Sequence, residues 1–379
     1  MKTNPFHFSP SSFNWATASR LLLGLTFIFS GFVKTIDPLG TALKITEYLN
    51  VYGFGALTDL RIPLSIAFCA AELIVGLMLV FGVKTRLVSI VALLVMSFFS
   101  VVTLLSATLL PVEDCGCFGD ALKMSPWASF GKNVVLWALA LIVWRDARRR
   151  KLNILPVTPR ELTATLLFAC MAVGLGIQCY RHLPLIDFLP YKKGVNLRAA
   201  TQGEGGAAEE MRMIYRDLRD GSLREFAVSD TTWYDSSRWE FVESVESPAT
   251  TPASDQPAMS LREFALFNAA GDATRDIVDF DGRVYMLCAS RLDLVTPACA
   301  ERFASVATRA AQEGARIVLL TSTPLSGAET VTFAGHPVEA YNIDATTMIT
   351  MLRAPTGIVV LENGVIVDKK NIRDLKVES

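Results

Sequence analysis

Histidine is nearly missing from this chain. His7, His182 and His336 are the only three among 379 residues, which argues against a histidine-based catalytic centre. Charge is sparse as well: charged residues make up 19% of the sequence, below the roughly 25% usual for a soluble domain, and they almost cancel at 36 basic and 37 acidic side chains. There is no glycine-rich nucleotide loop, and no His, Cys and carboxylate cluster has the spacing of a metal site. No basic tract with interleaved aromatics points to nucleic acid. The one dense basic cluster, "RDARRRKLN", directly follows an apolar run, where membrane topology accounts for it.

Apolar residues are abundant, at 51% of the chain, and before about residue 180 they are gathered into long runs. A bilayer core takes roughly 17–25 mostly apolar residues per helix. Five segments reach that length, at about 15–34, 62–82, 86–110, 126–145 and 161–180. The first has a thin positive flank, carries Arg20 inside it, and lacks a small-residue cleavage site after it, so it reads as a retained helix.

Lysine and arginine in the short loops set the expected orientation. Loop two carries Lys84 and Arg86 without an acid; loop four holds Arg145, Arg148, Arg149, Arg150, Lys151 and Arg160 against Asp146 and Glu161. Loop one is balanced, counting Lys34 and Lys44 among its charges, and loop three has Lys123 against Glu113, Asp114 and Asp120. Loops two and four are therefore expected in the cytoplasm, as is the amino terminus. Loop three and everything beyond residue 180 then share the extracytoplasmic side of a bacterial inner membrane, a compartment where disulfides persist.

Past the fifth helix, "CYRHLPLIDFLPYKKG" suits a membrane surface and "RAATQGEGGAAEE" reads as a spacer. Two strand-like runs around Asp220–Gly221 predict a hairpin, closed by the Pro-, Ser- and Thr-rich "ESVESPATTPASDQPAMS". From about 260, strands alternate with helices near 298–313 and 344–353, the pattern of an α/β layer fold. The expected domains are 1–148 (four membrane helices), 149–190 (basic loop, fifth helix and interfacial stretch), 191–259 (linker and β hairpin) and 260–379 (α/β).

Loop three, "PVEDCGCFGDALKMSPW", is the most chemically loaded stretch. Cys115 and Cys117 flank one glycine, and three readings stay open: a redox pair, a structural disulfide, or a metal clip that would need further ligands. Ser125–Pro126 predicts the cap and first turn of the helix that follows. That helix's amino-terminal dipole and Lys123 favour a thiolate, while Glu113, Asp114 and Asp120 oppose one. Cys179, at the end of the fifth helix, is either an exchange partner for this pair or an interfacial packing residue. Cys69 and Cys170 fall inside apolar helices and read as packing. Glu72 and Lys132 are charges at membrane depth, and such residues are functional candidates by default. At about 1.5 Å per residue they lie roughly 15 and 9 Å deep, within reach of an ion pair that is either architectural or part of a proton or quinone site.

"RLLLGLTFIFSGFVKTIDP" and "DCGCFGDALKMSPWASFGKNVVL", with the four-helix hydropathy, resemble the DoxX/MauE group of bacterial membrane proteins over roughly residues 15–148. The appended domain resembles the Bacteroidetes type of that group. The resemblance implies thiol chemistry, with quinone as a possible cofactor. "RAPTGIVVLENGVIV" resembles the Pro-Thr strand and hairpin of the thioredoxin-like fold, which implies a cis-proline at Pro355. "RVYMLCASRLDLVTPACAERF" then occupies the place of the redox motif. There the chain departs from the pattern, because Thr296 stands where the first cysteine of CxxC would be and only Cys299 remains.

The fold expected is thus a membrane helical bundle of four helices plus a fifth, followed by an extracytoplasmic, degenerate thioredoxin-like domain. The leading function is thiol–disulfide handling, with Cys115 and Cys117 as the pair, Cys299 as a relay thiol, and Glu72 and Lys132 as bundle charges. The rivals are a non-enzymatic assembly factor that holds a client protein and a quinone-linked oxidoreductase subunit. The partners expected are an extracytoplasmic client or redox protein and membrane lipid, with no nucleic acid and no metal.

Overall fold

The structure, a computed structural model, describes residues 14–109, 116, 118–122, 124–155, 157–201, 212–217, 223–227, 239–245, 261, 264–325, 330–333 and 335–376. By contacts the chain divides into two compact units. The first is Met1–Leu189 with Leu352–Gly357 and Lys370–Lys376; the second is Pro190–Met351 with Ile358–Lys369 and Val377–Ser379.

The first unit is helical: α1 (Trp15–Ile36), α2 (Pro38–Val51), α3 (Arg61–Phe81), α4 (Thr85–Thr108), α5 (Pro126–Arg149) and α6 (Pro159–Arg181). Five of these, all but α2, are long and apolar enough to cross a membrane, the second span taking in a 3-10 turn at Gly55–Leu60 ahead of α3. Helix α2 lies in the stretch 35–61, which hydropathy alone assigns to a loop. Its start is nonetheless encoded, since the Asp37 carboxylate accepts from the Gly40 N–H at 3.0 Å and Pro38 fills the first helical position.

Helices α1 and α3 meet backbone to backbone. A Cβ on Gly31 would come within 2.5 Å of the Leu73 nitrogen, and one on Gly76 within 2.6 Å of the Ile28 nitrogen. In lipid, apolar burial does not drive helices together, and small residues that allow close approach do. Beside this seam, Leu23, Phe27, Leu79, Val88, Ala92, Met96, Leu136 and Ala140 form one buried cluster joining α1, α3, α4 and α5. At the end near Arg148–Arg150, called here the basic end, Lys84 pairs with Glu161 at 3.2 Å, and Thr158 and Glu161 form a capping box at the start of α6. The opposite end, where α4 leads into the Cys115–Cys117 loop and α5 begins, is called the CGC end.

The second unit is a mixed α/β domain. Strands β1 (Arg212–Asp217), β2 (Leu223–Ala227) and β3 (Trp239–Val245) form a sheet of order β2-β1-β3, so the expected hairpin gains a third strand. The larger sheet comprises β4 (Phe267–Asn268), β5 (Gly271–Asp272), β6 (Arg283–Ala289), β7 (Arg316–Thr321), β8 (Thr330–Phe333), β9 (His336–Asn342), β10 (Thr356–Glu362) and β11 (Val365–Asn371). Its order is β11-β10-β6-β7-β9-β4-β5, with β8 paired to β9. β6, β7 and β9 run parallel, while β4 and β8 run antiparallel to β9. The helices α7 (Leu197–Thr201), α8 (Thr274–Val278), α9 (Pro297–Gln312) and α10 (Ala345–Leu352) complete it. β6 is buried along its length apart from Arg283, as a central strand covered on both faces should be.

Residues 194–197, expected to be linker, instead bond to β11. Gly194 N–H donates to the Ile366 carbonyl at 2.7 Å, Ile366 N–H to Val195 at 2.9 Å, and Leu197 N–H to Gly364 at 2.8 Å. Arg198 extends the anchor, donating to the carbonyls of Val278 and Phe280 at 3.1 Å each.

Candidate functional site

The close approach of α1 and α3 sets up a buried ion pair. Lys34, in the last turn of α1, places Nζ 2.5 Å from Glu72 Oε2 in the middle of α3, with side chains only 7% and 11% exposed. The ammonium also lies 5.3 Å from the Phe68 ring centre. Cys69, one turn before Glu72, is fully buried, and its sulfur is 3.9 Å from Ser65 Oγ. Ser65 donates in turn to the Pro38 carbonyl at 2.6 Å, and the Thr41 hydroxyl of α2 also neighbours the thiol. An acid, a base and a thiol are thus gathered where α1, α2 and α3 meet. Two opposite charges at this depth cancel, and removing either leaves the other uncompensated.

This arrangement corrects one expectation. Glu72 pairs with Lys34, not with Lys132. Lys132 points its Nζ over the Phe118 ring, 4.4 Å from the centroid. Depth along the helices allowed either partner; the faces that α1 and α3 present to each other decide for Lys34. Lys34 belongs to the last turn of α1 and not to the loop after it, and it supplies the cation that an intramembrane carboxylate calls for.

Cys115 and Cys117 lie outside the described residues, as do Glu113, Asp114 and Lys123. Gly116 between the two cysteines is described. It has φ +58°, a left-handed conformation open to glycine, and a Cβ there would come within 3.3 Å of Lys44 Cγ on α2. Phe118 is buried, with its ring 5.5 Å from that of Phe29. The sequence then enters α5 as expected: Ser125 Oγ accepts from Ala128 N–H at 3.3 Å and Pro126 is the first helical residue.

Two further polar contacts lie within the first unit. Arg353, buried and at φ +52°, donates through Nε to the Asp37 carboxylate at 3.0 Å, and His182 Nδ1 lies 2.5 Å from Asp374 Oδ1. Asp37 and Arg353 lie more than 300 positions apart, so no local sequence signal links them. Cys179 is buried in the last turn of α6, whereas Cys170 is exposed on that helix.

In the α/β domain Cys299 stands at the third position of α9 and is half-buried. The Thr296 cap accepts from the Cys299 N–H at 3.3 Å and donates its hydroxyl to the sulfur at 3.2 Å. Cys288 is fully buried in β6, and burial pushes its thiol up to about 12. Pro355 is exposed between buried Ala354 and Thr356, directly ahead of β10. Among the described residues no group of three or more His, Cys, Asp or Glu side chains is placed to hold a metal ion.

A family model described as "Methylamine utilisation protein MauE" matches residues 13–145. No curated protein and no solved structure matches the chain. The amino-terminal bundle is therefore MauE-like, and with five helices suited to crossing a bilayer the chain is a multi-pass membrane protein.

Proposed function

We propose that this protein handles thiols and disulfides on the extracytoplasmic side of a bacterial inner membrane, with Cys115 and Cys117 as the exchanging pair. The observation that carries the reading is the left-handed turn at Gly116, between the two cysteines and packed on the Lys44 stem of α2. A glycine in this conformation suits a tight CxC turn, and a small strained disulfide is of the oxidising, labile kind. Lys132 adds support, since it brings a cation to Phe118, the residue after Cys117, and a nearby cation favours a thiolate. The Lys34–Glu72 pair holds the helices beneath the loop, a supporting role in place of the direct Glu72–Lys132 partnership. The orientation rests on the basic loops, which favour a cytoplasmic Arg148–Arg150 cluster.

The sheet order β9-β7-β6-β10-β11, with Cys299 at the start of the helix after β6, supports a thioredoxin-like reading of the α/β domain. One observation favours a second reading, in which this domain holds a client without chemistry of its own. Thr296 caps α9 where a first cysteine would attack, and Cys288 is sealed in the sheet, so the domain brings a single accessible thiol, Cys299.

Trapping separates the two. In the full-length protein in its native membrane, the Cys115→Ser or Cys117→Ser variant that keeps the attacking thiol should accumulate a mixed disulfide, formed on a client's disulfide with release of one client thiol and found by mass spectrometry under non-reducing conditions. If neither variant traps a partner and the double variant still supports the client's maturation, the client-holding reading replaces the exchange reading.

A further inference from the structure

Two hydrogen bonds fix how α4 and α5 face each other. Asn133 Nδ2 donates to Thr103 Oγ1 at 3.4 Å, and Trp137 Nε1 donates to Ser97 Oγ at 3.0 Å. This is an antiparallel register. Continued one turn toward the CGC end, it brings Ser129 of α5 opposite Ser106 of α4.

Both serines are buried, at 0% and 6% exposure, and neither hydroxyl has a hydrogen-bond partner among the described residues. That sets Ser106 apart from its own helix. Ser97, Ser100, Thr103 and Thr108 each donate to the carbonyl four residues back, at 2.7 to 2.8 Å. A serine in a membrane helix has that option at almost no cost. Ser106 and Ser129 leave it unused, and they do not bond each other.

The seam also changes character along its length. Toward the basic end Val88, Ala92 and Met96 pack with Leu136 and Ala140 in the apolar cluster. Toward the CGC end Thr103 and Asn133, 1% and 2% exposed, are followed by the two serines. At about 1.5 Å per residue, Ser129 lies only about 5 Å past the start of α5, close to the loop. Lys132, three residues on, lies over Phe118.

A pair of buried hydroxyls without partners among the described residues calls for a third group that both donates and accepts, and lipid offers none. Serine is the smallest side chain that carries a hydroxyl, so a facing pair leaves the most room for such a group. We propose that Ser106 and Ser129 hold a water molecule at the CGC end of the α4–α5 seam, next in line to the Asn133–Thr103 hydrogen bond. The seam is a short wet file that stops where Met96 and Ala140 begin. Its role rests on the thiol–disulfide reading: it supplies a hydrogen-bond donor on the membrane side that favours a thiolate in the Cys115–Cys117 loop.

Water-edited solid-state NMR of the full-length protein in lipid bilayers tests the site without reference to thiol chemistry. Magnetisation from water should reach the Ser129, Ser106 and Asn133 side chains several-fold faster than those of Leu136 and Ala140. Build-up at the serines and Asn133 as slow as at Ala140 would overturn the water site. In a Ser106→Ala/Ser129→Ala variant the fast build-up at Asn133 should be lost, and the alkylation rate of the Cys115–Cys117 pair at fixed pH should fall several-fold. A fast water signal in the wild type with an unchanged alkylation rate in the variant would keep the site and overturn its part in favouring the thiolate. If the loop cysteines prove inert to exchange while the water signal stands, the thiol reading alone has failed.

Discussion

Lys34 and Glu72 meet at 2.5 Å inside the helical bundle, at the point where α1 and α3 touch through Gly31 and Leu73. The geometry links a sequence feature to the candidate site. Small residues allow the approach, the approach permits a charge pair at membrane depth, and the pair lies under the helix that carries Lys44 against Gly116.

Removing one member of the pair should cost far more than removing both. Glu72→Gln or Lys34→Met alone is expected to destabilise by about 3–5 kcal/mol, because a buried charge loses its partner. A Lys34→Met/Glu72→Leu double variant should recover most of that loss. Thermal unfolding in detergent or nanodiscs checks it; equal losses in all three variants would show that the two charges do not act as a pair.

Glycines in the bundle should divide sharply by position. Gly31→Leu forces a side chain against the Leu73 backbone, and overpacking of this kind costs about 1–3 kcal/mol or more. Gly131→Ala and Gly174→Ala meet open space and are expected to be neutral or to stabilise by about 0.5–1 kcal/mol through helix propensity. Melting temperatures of the three variants in one detergent give the comparison.

The two cysteines of the α/β domain should respond oppositely to alkylation. Iodoacetamide near neutral pH is expected to modify half-buried Cys299 and to spare Cys288 until the domain unfolds. Cys288 also sets an alkaline limit. Its thiol is raised from 9.0 to about 12, so the folded state holds the proton more tightly, and its contribution, intact below pH 9, is lost as pH rises from 9 toward 12. Cys288→Ala should flatten that alkaline loss in a series of melts, and an unchanged slope would assign the loss to other groups.

Acid should act on the same domain through Glu339. The Arg316 guanidinium, bonded to it at 2.6 Å, holds its carboxyl below the ordinary value of 4.5. A depressed carboxylate contributes stability above the unfolded value and loses it as pH falls through the folded one, so the loss begins below about pH 4.5. Arg316→Gln removes the depression, and the decline of stability with acid should become shallower. Hydrogen exchange at β7 and β9 between pH 6 and 3 reports on these strands directly.

The membrane helices were legible in the sequence because bilayer thickness imposes a length and composition that little else in a chain imitates. Helix α2 was not, since "PLGTALKITEYLNV" is short and mixed, although Asp37–Pro38 carries the signal for its start. β9, "HPVEAYN", contains Pro337 and Glu339 and does not read as a strand, yet it holds a place in the sheet between β7 and β4. Residues 194–197 join β11 through backbone groups, which leave no side-chain pattern to read. Glu72 was visible as a charge in an apolar run, but its partner depended on which faces of α1 and α3 meet, and hydropathy carries no such information. The orphan hydroxyls of Ser106 and Ser129 were beyond reach for the same reason: serine is ordinary in a membrane helix until its neighbours are known.

The most direct test of the central claim is the redox state of Cys115 and Cys117 in membranes from the native host. Differential alkylation and mass spectrometry across a series of defined redox buffers would measure it. The account predicts a pair that switches between dithiol and disulfide at a potential above about −300 mV, the level below which structural disulfides fall. A pair that stays fully oxidised down to that level would contradict it and make the loop a structural staple.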